Sequence, residues 1–120
     1  MKIYVAHSTR FNYKEELYKP LRNSTLNDKH EITLSHENPS GLFDSKTYLD
    51  HCDLVIAEGS FPSTGMGIEL GWANLKQVRI VCVYKKDTEP SPSLKAVTKE
   101  FVEYASPLDL ISKLESLLAS

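Results

Sequence analysis

Five short apolar runs recur along the chain with a helical pattern between successive pairs, and this alternation constrains the fold more than any other feature. Residues 3–6, 31–35, 53–58, 78–84 and 101–104 read as strands, 78–84 the most apolar and 101–104 an edge. Tyr13, Leu17 and Leu21 mark a first helix, with Asn12 as N-cap, Glu15 completing a capping box and Pro20 kinking or shortening it. A short helix over residues 44–52 is capped by Asp44 or Ser45, and residues 38–41, Asn-Pro-Ser-Gly, form the loop before it. A helix over 65–77 packs Ile68, Leu70, Trp72, Ala73 and Leu75 on the sheet. Residues 85–92 are the longest polar loop, followed by a short helix over 93–99. A closing amphipathic helix over 107–118 turns Leu110, Ile111, Leu114, Leu117 and Leu118 inward. The prediction is an α/β fold: a five-stranded, mostly parallel sheet with helices on both faces, a three-layer sandwich.

Length and charge narrow the function. At 120 residues the chain reads as a single domain, 1–120. Its 14 basic and 16 acidic residues give a net charge of −2, with no basic block to hold a nucleic acid. No apolar run approaches the roughly 20 residues that cross a bilayer, and the amino terminus enters a strand pattern without a signal-peptide core. A cytoplasmic protein is expected. Cys52 and Cys82 sit in apolar contexts as small core residues of a reducing compartment. His7, His30, His36 and His51 lack partners at zinc-site spacing, so no metal site is predicted and surface or loop placement is the default.

The stretch from Ser60 to Ala73 carries the chemistry. Gly65 and Gly67 let backbone N–H groups approach a ligand, and the helix start favours an anion. Glu69 lies just inside that helix. In a parallel sheet, ligands bind outside the carboxyl ends of the strands. The loops after the first four strands therefore converge, bringing Ser8, Arg10, Asp44, Ser63 and Glu69 toward one crevice. Ser8, Arg10, Ser63 and the amides near Gly65 suit a phosphate. Glu69 beside a bound sugar suits glycoside chemistry, with Asp44 or Glu37 supplying a second group. Each residue also has an ordinary use: the serines in turns, Arg10 as a surface charge, Asp44 as an N-cap, Tyr4 in the core. Gly65-x-Gly67-x-x-x-Gly71 matches a dinucleotide fingerprint weakly, since it follows the third strand, and Gly-x-Ser-x-Gly is absent.

The run Asp53-Leu54-Val55-Ile56-Ala57-Glu58, followed by Pro62-Ser63-x-Gly65-x-Gly67-x-Glu69-Leu70-Gly71-x-Ala73, resembles the nucleoside 2-deoxyribosyltransferase superfamily. The closest branch is the 2′-deoxynucleoside 5′-phosphate N-hydrolases, which Tyr4-Val5-Ala6-His7-Ser8-x-Arg10 also resembles. The resemblance implies a flavodoxin-like (Rossmann-like) fold, a homodimer and no cofactor. It makes Glu69 the nucleophile, oriented by Tyr4. Ser8, Arg10, Ser63 and Gly65 would hold sugar and phosphate, Gly67 would line the same loop, and Ser93 would reach a neighbouring subunit's phosphate. Transferases carry Asp where this chain has Ser63. A serine hydroxyl donates to a phosphate dianion that an Asp would repel. The family's second carboxylate falls at Ser45 by plain spacing, so Asp44 fits with a one-residue shift. His7 stands where the hydrolases have Gly, narrowing the pocket or adding a donor to phosphate or base. The leading expectation is hydrolysis of the N-glycosidic bond of a (deoxy)nucleoside 5′-monophosphate. The alternatives are a base-exchanging deoxyribosyltransferase and a non-catalytic nucleotide-binding module.

Overall fold

A computed structural model describes residues 1–37 and 43–119, and the loop expected at residues 38–41 lies outside them. The strands β1 (Lys2–His7), β2 (Glu31–Leu34), β3 (Leu54–Glu58), β4 (Arg79–Lys85) and β5 (Glu100–Tyr104) form one sheet in the order β2-β1-β3-β4-β5. Every neighbouring pair is parallel, where the sequence predicted mostly parallel. Parallel neighbours need crossovers, and the helices α1 (Lys19–Arg22), α2 (Thr25–Lys29), α3 (Ser45–Tyr48), α4 (Thr64–Leu75) and α5 (Pro107–Leu117) belong to them or close the chain.

Side chains alternate across the sheet and divide the core in two. Ile3, Val5, Leu54, Ile56, Val81 and Val83 pack with Leu17, Leu21, Leu110 and Leu114 on one face. Tyr4, Ala6, Val55, Ala57, Ile80 and Cys82 pack with Leu49, Met66, Leu70 and Ala73 on the other. β3 is buried along its whole length, so its run is apolar without alternation. Helices on both faces make the three layers.

The first helical stretch departs from expectation. Lys14–Tyr18 forms a π-helical turn ahead of α1, capped at Tyr13 with no side-chain bond, and Asn12 contributes its carbonyl, which accepts the Glu16 N–H at 2.9 Å. Pro20 explains the break. It has no N–H to give to the carbonyl four residues back, and the wider turn places it at the start of α1, where that donor is not needed.

Two other expectations are corrected. In α4 only Met66, Leu70 and Ala73 are buried, while Ile68 and Leu75 are exposed at 50% and 83%. A step of 100° per residue puts positions 66, 70 and 73 on one side and 68 and 75 opposite. The helix expected over 93–99 is a 3-10 segment, Pro92–Ala96, and Thr98 instead donates its hydroxyl to the Ile80 carbonyl at 2.6 Å, fastening the chain to β4.

Candidate active site

Strand order reverses between β1 and β3, since β2 lies outside β1 and β4 outside β3. Crevices in such sheets open there, at the carboxyl ends of the strands. A cavity of about 540 Å³ lies at this place. Ser8 and Arg10 from the loop after β1, Ser63 and Gly67 from the start of α4, and Ser91 and Ser93 from the loop after β4 line it. Arg10 has no ion-pair partner among the described residues. A second cavity of about 200 Å³ adjoins it, sharing Thr9, Ser63 and Met66, and is lined further by His7, Ser35, His36, Gly65 and Glu69. The cleft therefore has two lobes, one rich in hydroxyls with a guanidinium, the other holding a carboxylate.

Ser63 stands at the junction. It is the N-cap of α4, its hydroxyl oxygen accepting the Met66 N–H at 3.2 Å. A capping hydroxyl keeps its own hydrogen for donation, so cap and ligand contact are compatible. The 12 residues of α4 place its unpaired N–H groups beneath the larger lobe. Ser8 is buried, and its hydroxyl oxygen accepts the Arg10 N–H at 3.1 Å, which shapes the turn that carries Arg10.

Glu69 is half-buried and tied to the sheet. Tyr4 donates its hydroxyl to Glu69 Oε2 at 2.5 Å. The register explains the contact: Tyr4 lies on the face of β1 that α4 covers, and its ring stacks on Phe43 with centroids 5.7 Å apart. Burial first, and then the bond to Glu69, raise the Tyr4 pKa far above that of a free phenol, so it stays a donor.

His7 is not a surface residue. It is 6% exposed, with Nδ1 2.8 Å from the Ser8 carbonyl and Nε2 2.6 Å from the Tyr18 hydroxyl. A carbonyl only accepts, so Nδ1 carries the proton and Nε2 accepts from Tyr18. Tyr18 in turn accepts the His36 N–H at 3.1 Å. Burial lowers the His7 pKa, keeping this neutral arrangement. His7 lines the smaller lobe, and with both ring nitrogens engaged neither is left to bind phosphate or base.

The two expected partner carboxylates are committed elsewhere. Asp44 caps α3: Oδ1 accepts the Thr47 N–H at 3.1 Å and Oδ2 the Thr47 hydroxyl at 2.7 Å. The Thr47 hydroxyl and then the Thr47 amide hold its carboxyl below the usual range, making it a poor proton donor, and it lines neither lobe. Glu37 forms a two-pronged pair with Arg22 at 2.7 and 3.1 Å. Ser93, expected to serve a neighbouring subunit, lines the larger lobe of its own chain, because the segment after β4 folds back over the loop after β3.

Three groups were missed. Ser35 and His36 line the smaller lobe, and their signal was their position just past the carboxyl end of β2. Glu58 is fully buried and accepts the Ser60 N–H at 2.6 Å, the Ser60 hydroxyl at 2.9 Å and the Tyr104 hydroxyl. Ser60 also accepts the Lys85 N–H at 2.8 Å, so this network joins the ends of β3, β4 and β5 beneath the loop to Ser63. No local pattern marks a strand-end glutamate as buried. Neither cysteine is activated: burial raises both thiols, Cys82 to about 12.

No protein-family model and no curated protein matches the chain. Its structure is similar to that of the CMP N-glycosidase BcmB of Clostridium botulinum, with a TM-score of 0.72 and 20% identity over 98% of this chain and 100% of that one. It is also similar to that of a protein of Burkholderia pseudomallei described as pilus assembly-related. That likeness has a TM-score of 0.52 and 15% identity over 99% of this chain and 90% of the other. At such identities the likeness is one of fold. The chain shares its three-layer α/β fold with the CMP N-glycosidase, as the alternation of strands and helices predicts.

Proposed function

We propose that this protein is an N-glycosidase of nucleoside 5′-monophosphates, releasing free base and (deoxy)ribose 5-phosphate. The observation that carries the reading is Glu69, held through Oε2 by Tyr4, in a lobe that opens onto a second lobe lined by Arg10 and serine hydroxyls. With the 5′-phosphate at Ser8, Arg10, Ser63 and the start of α4, and Ser93 on the same wall, the sugar extends past Ser63 toward Glu69. The carboxylate attacks C1′ as the base departs, giving a glutamyl-sugar intermediate that water opens. Tyr4 fixes one carboxylate oxygen so that the other faces the sugar, a positioning effect that needs no rearrangement during reaction. The structural likeness to a CMP N-glycosidase supports the substrate class.

The test is a panel of ribo- and deoxynucleoside 5′-monophosphates and the corresponding nucleosides, each with and without an acceptor base, analysed for free base. Hydrolysis of monophosphates in preference to nucleosides is expected, with Glu69→Ala slower by about 10³-fold or more. Exchange product in place of free base would assign the chain to base transfer, and turnover unchanged in Glu69→Ala would overturn the reading.

A further inference from the structure

The smaller lobe holds the attacking carboxylate, yet neither Asp44 nor Glu37 lines it. Nucleobases leave poorly as anions, so the departing nitrogen base needs a proton from something in contact with it. Among the described residues lining this lobe, three carry an acid–base side chain: Glu69, His7 and His36. Glu69 is the attacking group. His7 has its two nitrogens occupied by the Ser8 carbonyl and the Tyr18 hydroxyl. That leaves His36.

We propose that His36 is the general acid that protonates the departing base, in place of a second carboxylate. The inference rests on the N-glycosidase reading above and adds to it the origin of the proton. Histidine is the side chain whose charge changes near neutral pH, which suits it to give and regain a proton in one cycle. Its Nδ1 lies 3.1 Å from the Ser35 hydroxyl oxygen, and Nε2 has no hydrogen-bond partner among the described residues. His36 is exposed to solvent, and it is its backbone that is held from behind. The His36 N–H donates to Tyr18, which donates to His7, so the backbone at residue 36 is anchored to the buried wall of the same lobe. The His36 and His7 rings lie 5.1 Å apart, and the His36 and Tyr13 rings 5.4 Å apart.

The step balances without a further reactant. A Glu69 carboxylate oxygen forms a bond to C1′ while the C1′–N bond breaks, its electron pair passing to the base. The base takes the imidazolium proton of His36 and leaves neutral. Water then attacks C1′, gives one proton back to the His36 imidazole, and the bond to Glu69 breaks to restore the carboxylate.

The experiment compares matched substrates whose bases differ in their need for a proton: CMP with 5-nitrocytidine 5′-monophosphate, and GMP with 7-methylguanosine 5′-monophosphate. The anchoring bond belongs to the backbone, so His36→Gln removes the ring's chemistry and keeps that bond, and an unchanged thermal midpoint checks the fold. The expected result is a loss of about 10²- to 10⁴-fold in kcat on CMP or GMP, with a loss within about threefold on the activated member of the same pair. Glu69→Ala loses activity on both members. An equal loss of His36→Gln on both members assigns His36 to binding or positioning and overturns the proposal, as does no loss on CMP and GMP, with the N-glycosidase reading intact in either case. If the wild-type protein releases base from none of the four and from none of their 2′-deoxy counterparts, the parent reading falls and the role of His36 with it.

Discussion

Tyr4 and Glu69 are 65 positions apart and meet at 2.5 Å. Removing the phenol hydroxyl in Tyr4→Phe leaves the ring packed on Phe43 and frees the carboxylate to turn. On the proposed reading, in which the contact acts on the attacking group and not on substrate binding, the expected outcome is a fall in kcat of about 10- to 100-fold with KM changed little. A rise in KM at constant kcat would assign Tyr4 to binding instead. His7 carries a prediction about pH. Its pKa is lowered from 6.5 chiefly by burial, so the unfolded chain takes up a proton near pH 6.5 while the native chain does not until a lower pH. The contribution is whole above pH 6.5 and is lost as pH falls below it. Urea midpoints at pH 7.5, 6.5 and 5.5 should drop in the wild type, and the drop should be smaller in His7→Gln. Equal drops would assign the effect to another group, such as His30, whose pKa is also lowered.

At the scale of elements, the connection from β3 to α4 positions Ser63 and is tightly enclosed. A Cβ on Gly59 would meet the Cys82 sulfur at 2.7 Å and Leu94 at 3.1 Å. Gly59→Ala should therefore cost about 1–3 kcal/mol, and Cys82→Ala in that background should recover part of it. A double variant no more stable than Gly59→Ala would mean the strain lies elsewhere. The cap of α5 gives a contrasting case far from the cleft. Ser106 accepts the Asp109 N–H at 3.1 Å, and Ser106→Ala should lower stability by about 1 kcal/mol with unchanged turnover. The elements differ in how far the sequence shows them. The apolar strands and α5 are legible because burial on two faces, or on one helical stripe, writes a local pattern. The π-helical turn before α1 is not, because its cause is the missing N–H of Pro20 acting on a carbonyl one turn earlier. The 3-10 segment Pro92–Ala96 is not legible either, since the bond from Thr98 to Ile80 that ends it spans the β4 crossover.

For the whole molecule, strand order sets where ligands act. The two lobes open at the β1–β3 reversal, and the charge on their walls is local: Arg10 and the start of α4 in a chain of net charge −2. A nucleoside 5′-monophosphate at a hundredfold excess over its Kd should stabilise the fold by about 2.7 kcal/mol, and its nucleoside at the same concentration should raise the thermal midpoint less. Arg10→Ala should remove most of the difference between the two ligands and leave the nucleoside's own effect. Equal shifts for both ligands in the wild type would move the phosphate out of the larger lobe.

The sequence by itself determined the alternating elements, the parallel sheet and the central motif with Glu69, Ser63 and the glycines, because each rests on local periodicity or on spacing within one strand-loop-helix unit. Tertiary structure alone decided which side chains share a lobe. Asp44 and His36 both follow β2, and the sequence points to Asp44 or Glu37, not His36, as the group that meets Glu69. The hydrogen bonds from Thr47 draw the Asp44 carboxylate to the start of α3, while Tyr18 and the buried His7 hold residue 36 against the cleft. Those partners come from other elements, so the assignment follows from the packed chain and not from any stretch of it.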